Sequence, residues 1–285
     1  MLRRALSSCL LSLIMISGVQ AQTLFFTAIP DQDETQLRTR FEQVGTYLSA
    51  ELGVEVKYIP VKSYSAAVTA FRNDQVHLAW FGGLSGVQAR QLVPGSRAIA
   101  QGAVDPNFKS YLIAHADTQL GPQTELDKTV LGGMTFTYGS KGSTSGRLMP
   151  QFFIEQSMGK AEQVFSRVGF SGDHSRTITQ VEAGVYQLGA VNYKVWNRAV
   201  AEGSVDLNKV SKIWETPGYP DYHWTVRGDV DARFGAGFTD KLQQALLDLD
   251  DPVILAAFPR EKFIEADNDD FTPVADVARE LGLLR

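Results

Sequence analysis

The sequence predicts an α/β protein folded as two lobes around a cleft, each lobe an open, mostly parallel sheet. Three observations lead there. Short apolar runs alternate with helical stretches along the chain beyond residue 21, the pattern of crossover-connected sheets covered on both faces. The alternation comes in two sets, and no internal repeat, low-complexity tract or Pro-rich linker separates them. With 285 residues, 44% of them hydrophobic, the chain can bury a sizeable core in each lobe. Two lobes without a linker share crossover segments. The apolar, strand-like stretches 111–115 and 222–226 are the candidate crossings, giving residues 22–112 plus 226–285 as lobe 1 and 113–225 as lobe 2.

Residues 1–21 stand apart. Arg3 and Arg4 precede a short apolar run at 10–19, and Val19-Gln20-Ala21 fits a small-residue cleavage site. The run falls short of the ~20 residues a bilayer demands. Cys9 lies at its start rather than after it, a poor fit to a lipoprotein anchor. The expectation is a cleavable signal peptide and an exported protein, periplasmic in a Gram-negative cell. Beyond Ala21 the chain has no cysteine and 25 basic against 32 acidic side chains, a net charge of −7. A Cys-based zinc site and a disulfide framework are thereby excluded. A broad nucleic-acid-binding surface is disfavoured.

The elements follow in order. Residues 23–29 are an apolar run closed by Pro30, read as a buried strand. Residues 34–52 place Leu37, Phe41, Val44 and Leu48 at helical spacing before Gly53. A strand is expected at 54–61, a short helix at 65–71 and a buried strand at 76–81, ending at Gly82-Gly83. Residues 85–92 read as helix and 98–103 as strand. In the second set, strands at 134–138, 163–170, 188–192 and 210–214 alternate with helices at 145–157, 175–183 and 194–202. From Thr239 the tail is mostly helical, with Leu242, Ala245, Leu246 and Leu249 on one face.

The most informative stretch is Tyr138-Gly139-Ser140-Lys141-Gly142-Ser143-Thr144-Ser145-Gly146, leaving a strand and opening a helix. A helix N-terminus carries unpaired N–H groups and the positive end of the dipole. Ser143, Thr144 and Ser145 add three hydroxyls there, and the flanking glycines allow close approach of a ligand. One capping residue explains one hydroxyl; three in succession suit a tetrahedral oxyanion such as a phosphonate, phosphite, phosphate or sulfate. The loop is no P-loop, because Lys141 precedes Gly142, and no nucleophile elbow, because Thr144 holds the middle position. His174, in the polar loop Ser171-Gly172-Asp173-His174, is a second candidate donor at the sheet edge. Tyr64, Trp80, Phe81, Tyr219, Asp221, Tyr222 and Trp224 lie at or near predicted strand ends, candidates for cleft walls.

With these residues in hand, the sequence resembles the phosphonate- and phosphite-type substrate-binding proteins of ABC importers. That family carries a G-S-x-x-S-T-S-G loop, a W-F-G turn and an S-G-x-H loop, here at 139–146, Trp80-Phe81-Gly82 and 171–174. A closer subgroup, often labelled selenate-binding, shares Gly-Arg-Leu-Met-Pro at 146–150, Gly86-Val87-Gln88-Ala89-Arg90 and Trp224-Thr225-Val226-Arg227-Gly228-Asp229. The resemblance implies a type II periplasmic binding protein fold that closes on its ligand, without catalysis, cofactor or metal. It implies delivery to an inner-membrane permease by a monomer. Carried over residue by residue, Ser143, Thr144, Ser145 and His174 contact the oxyanion, Tyr64 donates from the other lobe, and Asp221 accepts a donor of the ligand. Trp80, Phe81 and Tyr222 complete the expected ligand set. A family tyrosine near Phe108 and Lys109, and an acid near Asn192 that grips an amine, have no counterpart, which disfavours large aminophosphonates.

Two other readings use the same residues. A periplasmic sensing subunit for a membrane histidine kinase would have an identical site. A serine hydrolase would use Ser143 or Ser145 with His174 and Asp221, although no motif sets a base on either serine.

Overall fold

The computed structural model describes residues 22–258 and 260–284, without the side chains of residues 256 and 257. The expected signal peptide, 1–21, lies outside the described residues. The first run of elements is Leu24–Ala28 (β1), Glu34–Leu52 (α1), Val56–Tyr58 (β2), Tyr64–Arg72 (α2), Leu78–Phe81 (β3), Gly83–Leu92 (α3) and Arg97–Gly102 (β4). Then come Ser110–His115 (β5), Lys128–Leu131 (α4), Thr135–Tyr138 (β6), Met149–Met158 (α5), Ala161–Val164 (α6), Arg167–Phe170 (β7) and His174–Glu182 (α7). Leu188–Asn192 (β8), Tyr193–Ala201 (α8) and Val210–Glu215 (β9) complete that set. The chain closes with His223–Val226 (β10), Val230–Phe234 (α9), Phe238–Leu247 (α10), Pro252–Ala257 (α11), Phe263–Glu265 (β11) and Thr272–Glu280 (α12).

Local chemistry sets these bounds. Asp33 starts α1 by accepting the Thr35 and Gln36 N–H groups, and Gly53 ends it at φ 71°, a left-handed conformation only glycine adopts without cost. Leu37, Phe41, Val44 and Leu48 form its buried stripe. Helix α2 begins where Ser63 Oγ accepts the Ala66 N–H at 3.1 Å, which makes Tyr64 its first residue.

Two sheets form, in the orders β11-β4-β10-β3-β1-β2 and β7-β6-β8-β5-β9. Strands β1, β2 and β3 are mutually parallel, as are β6, β7 and β8. The short β11 pairs antiparallel with β4 at one edge, and two further strands oppose both of their neighbours: β10 runs antiparallel to β3 and β4, and β5 to β8 and β9. Each of these two is the first strand after the chain changes lobe, so it enters from the cleft side and runs against strands that end there.

That topology corrects the expected crossings. Strand β5 lies wholly in the second sheet and β10 wholly in the first, so 110–112 leave lobe 1 and 223–225 leave lobe 2. The crossings are instead 103–109 and 216–222. They pair with each other: Phe108 N donates to Tyr219 O at 2.8 Å and Tyr219 N to Phe108 O at 3.0 Å. Apolar, strand-like character marks burial in a sheet, which is why it pointed to the flanking strands. Two smaller departures concern 163–170, where residues 161–164 are helical and the strand begins at Arg167, and the three-residue β11, which sequence reading missed.

The first sheet packs an aromatic core in which Phe26, Phe41, Trp80, Trp224 and Phe258 meet. The second sheet separates two cores: Leu112 and Ala114 of β5 face Phe136 and Ile154, while Tyr111 and Ile113 face Ile178 and Val195, the period-two alternation of a strand. At the hinge, Arg260 donates to both oxygens of Asp105, at 2.9 and 2.7 Å, both residues buried. That ion pair ties the first crossing to the C-terminal part of lobe 1.

Candidate functional site

The loop after β6 meets the N-terminus of α7 within the second lobe. Ser143 Oγ accepts the Gly146 N–H at 2.8 Å, and residues 144–148 form a wide helical turn before α5. Ser143, Thr144 and Ser145 are all buried. Asp173 caps α7 by accepting the Arg176 N–H at 2.7 Å, so His174 stands first in that helix. Its Nδ1 accepts the Asn192 N–H at 3.2 Å, which leaves the proton on Nε2. Nε2 lies 3.5 Å from Ser145 Oγ. Burial lowers the imidazole pKa to about 4, so at neutral pH it is an uncharged N–H donor. A Cβ on Gly146 would lie 3.0 Å from both His174 Cε1 and Ser143 Oγ; glycine permits this approach.

The first lobe and the second crossing supply the facing groups. Asp221 Oδ1 accepts the Gly83 N–H at 2.9 Å. Its Oδ2 is buried without a hydrogen bond of good geometry, and so is the hydroxyl of Tyr64. Ser143 lies beside that hydroxyl, and Thr144 and Ser145 beside the carboxylate. Burial raises the Asp221 pKa to about 7, against the lowering effect of the Gly83 N–H and the two hydroxyls. Burial also holds the Tyr64 phenol protonated, a donor at any physiological pH. The lobes touch here: Leu84 N donates to Thr144 Oγ1 at 3.0 Å and His174 N to Asp31 O at 3.1 Å. Beyond Tyr64 and Gly142 a cleft of about 770 Å³ opens past Lys62, Lys141 and Arg176.

Of the expected residues, Ser143, Thr144, Ser145, His174, Tyr64 and Asp221 come together. The aromatic residues divide. Trp80 stacks on Tyr222 at 5.7 Å, and the Tyr222 hydroxyl accepts from Asn192 Nδ2 at 2.9 Å, so this pair forms a wall beside the polar groups. Phe81 packs edge-on against Phe71 at 5.6 Å within the lobe 1 core; as the next residue on β3 it faces away from Trp80. Sequence reading missed Asp31 and the first turn of α3, whose Gly83 and Leu84 N–H groups face the cleft. The signal for that turn was present, since Gly82-Gly83 repeats the strand–glycine–helix pattern of Gly142–Ser145. The hydrolase arrangement does not form: Nδ1 of His174 takes a backbone N–H rather than a carboxylate, and its Nε2 carries a proton.

Two lobes meeting over buried hydroxyls, an imidazole N–H and one carboxylate describe a hinged solute-binding protein. The chain belongs to the family described as ABC transporter, phosphonate, periplasmic substrate-binding protein, which matches residues 26–271. It is 39% identical, over 98% of its length and 97% of the relative's, to the probable ABC transporter phosphite binding protein PhnD1 of Prochlorococcus marinus (strain MIT 9301). The solved structure of that PhnD1 in complex with methylphosphonate superimposes with a TM-score of 0.89 at 40% identity, covering 92% of this chain and 99% of that one. A binding protein component of an ABC phosphonate transporter from Pseudomonas aeruginosa shares the fold, with a TM-score of 0.76 at 20% identity over 90% of this chain and 85% of that one.

Proposed function

We propose that this protein captures a small, singly protonated phosphorus oxyanion, phosphite or a short alkylphosphonate, and hands it to an ABC permease without chemical change. The carrying observation is Asp221 Oδ2, a buried acceptor atom with no partner of its own beside a set of donors. A carboxylate there repels a fully deprotonated anion but accepts from a P–OH. Phosphite and phosphonates keep such a proton in part near neutral pH; sulfate and selenate do not. Ser143, Ser145, His174 Nε2 and Tyr64 supply the donors, and the methylphosphonate complex of PhnD1 supports this ligand class. Asn192 pairs with Tyr222 and caps α8, so no acid waits there for the amine of an aminophosphonate. Export by the signal peptide at 1–21 and action as a monomer belong to the same reading. With a net charge of −7 beyond residue 21, local dipoles rather than a global field draw the anion in.

The test is thermal stability against phosphite, methylphosphonate, phosphate, sulfate and selenate. Ligand at 100 times Kd stabilises by about 2.7 kcal/mol. A shift with the phosphorus acids alone supports the reading; an equal shift with sulfate or selenate removes Asp221 as the discriminating group.

A further inference from the structure

The three hydroxyls of the 143–145 loop are not equivalent. Ser143 Oγ is engaged within its own lobe by the Gly146 N–H, and Ser145 Oγ faces His174. Thr144 Oγ1 is the one of the three that takes a backbone N–H of the opposite lobe, accepting the Leu84 N–H at 3.0 Å. Leu84 lies in the first turn of α3, where N–H groups have no acceptor inside the helix and take water or another partner. The neighbouring N–H of the same turn, from Gly83, holds Asp221 of the second crossing. One helix end thus grips the hinge segment and the opposite lobe together. The approach is tight by design of the backbone: a Cβ on Gly82 would lie 3.0 Å from Asp221 Oδ1 and 3.3 Å from Thr144 Oγ1.

We propose that Thr144 is a closure latch, its hydroxyl oxygen taking the Leu84 N–H of the first lobe as the cleft shuts and so setting the open–closed balance and the residence time of the ligand. Ser143 and Ser145 keep their hydroxyls for the ligand, whereas the Thr144 oxygen, beside the Asp221 carboxylate, also holds the opposite lobe. This rests on the reading of the protein as a clamp that closes on an oxyanion. An open cleft leaves the Leu84 N–H to water; a shut one buries it, and the threonine oxygen is its acceptor. A buried N–H without an acceptor is costly, so deleting that oxygen opposes closure even with no ligand present.

Residues 22–285 contain no cysteine, so Glu51→Cys in α1 and Glu162→Cys in α6, both exposed, accept a dye pair reporting lobe separation. Energy transfer is measured on the parent, Thr144→Val and Thr144→Ser, without ligand and with saturating phosphite or methylphosphonate, alongside stopped-flow binding. The expected result is a ligand-free distribution shifted toward open in Thr144→Val and retained in Thr144→Ser. Ligand dissociation from Thr144→Val should be roughly tenfold faster, the loss of one hydrogen bond, with association unchanged. If Thr144→Val keeps the parent's ligand-free distribution while the parent closes on ligand, the latch is wrong and the clamp stands. Should the parent close with none of phosphite, methylphosphonate and phosphate, both are overturned.

Discussion

At the scale of single residues, Asp221 and His174 are buried groups whose titrations act in opposite directions. The carboxyl of Asp221 is raised from 3.8 to about 7, so the folded chain holds its proton across an interval where the unfolded chain has lost it. Stability from this group therefore falls as pH rises from about 4 to 7, by a total on the order of 4 kcal/mol. His174 is lowered from 6.5 to about 4; the unfolded chain binds the proton first, and stability is lost as pH falls over that range, by on the order of 3 kcal/mol. In the ligand-free parent the two slopes offset one another between pH 4 and 6.5. Asp221→Asn should expose the histidine slope, with melting temperature rising with pH, and His174→Gln the reverse. Denaturation series of both variants from pH 4 to 8 check the signs; matching profiles would refute the assignment. Asp221→Asn also turns an acceptor into a donor, and at pH 8 its affinity for sulfate relative to phosphite should rise at least tenfold by calorimetry.

At the scale of elements, the loop after β6 and the start of α2 come together through a glycine. A Cβ on Gly142 would lie 3.0 Å from Tyr64 Cβ, a contact between lobes that a backbone-to-Cβ approach cannot easily relieve. Gly142→Ala removes no hydrogen-bonding group, yet it should hold the lobes apart and weaken binding about tenfold or more, at unchanged ligand-free stability. Titration calorimetry and scattering with saturating methylphosphonate test this; undiminished affinity would mean the loop gives way. The elements themselves were largely legible. The 34–52 helix is legible in its apolar spacing and in Gly53, and the 188–192 strand in its place in the alternation of strands and helices. The start of β7 was misplaced because Ala161–Val164 is a single helical turn, too short for periodicity to separate from a strand. The short β11 exists only because β4 offers it an edge.

At the scale of the whole molecule, the hinge is where fold and function join. The crossings pair through Phe108 and Tyr219, Asp221 N donates to Asp105 O at 3.1 Å, and Arg260 holds the Asp105 carboxylate while lying 5.1 Å from the Tyr222 ring. Arg260→Met leaves the Asp105 charge buried without its cation, held by the Gly102 N–H, which should cost about 3–5 kcal/mol in urea unfolding. Asp105→Asn in the same chain should recover part of that loss, and the absence of recovery would show that packing of the long side chain matters more than its charge.

The sequence alone determined the features written in short range. Alternating apolar runs and helical stripes, the capping residues, and hydroxyls placed between glycines after a strand depend on spacing along the chain, because backbone geometry turns such spacing into faces and helix ends. What only the tertiary structure decided depends on groups far apart in sequence. Phe81 belongs to the core because Phe71 covers it, and Asp221 titrates near 7 because the closed lobes exclude water from it. Thr144 faces Leu84 because the crossings, hidden at 103–109 and 216–222, bring two helix ends together. Burial and like contacts are properties of the assembled volume, and no local pattern encodes them.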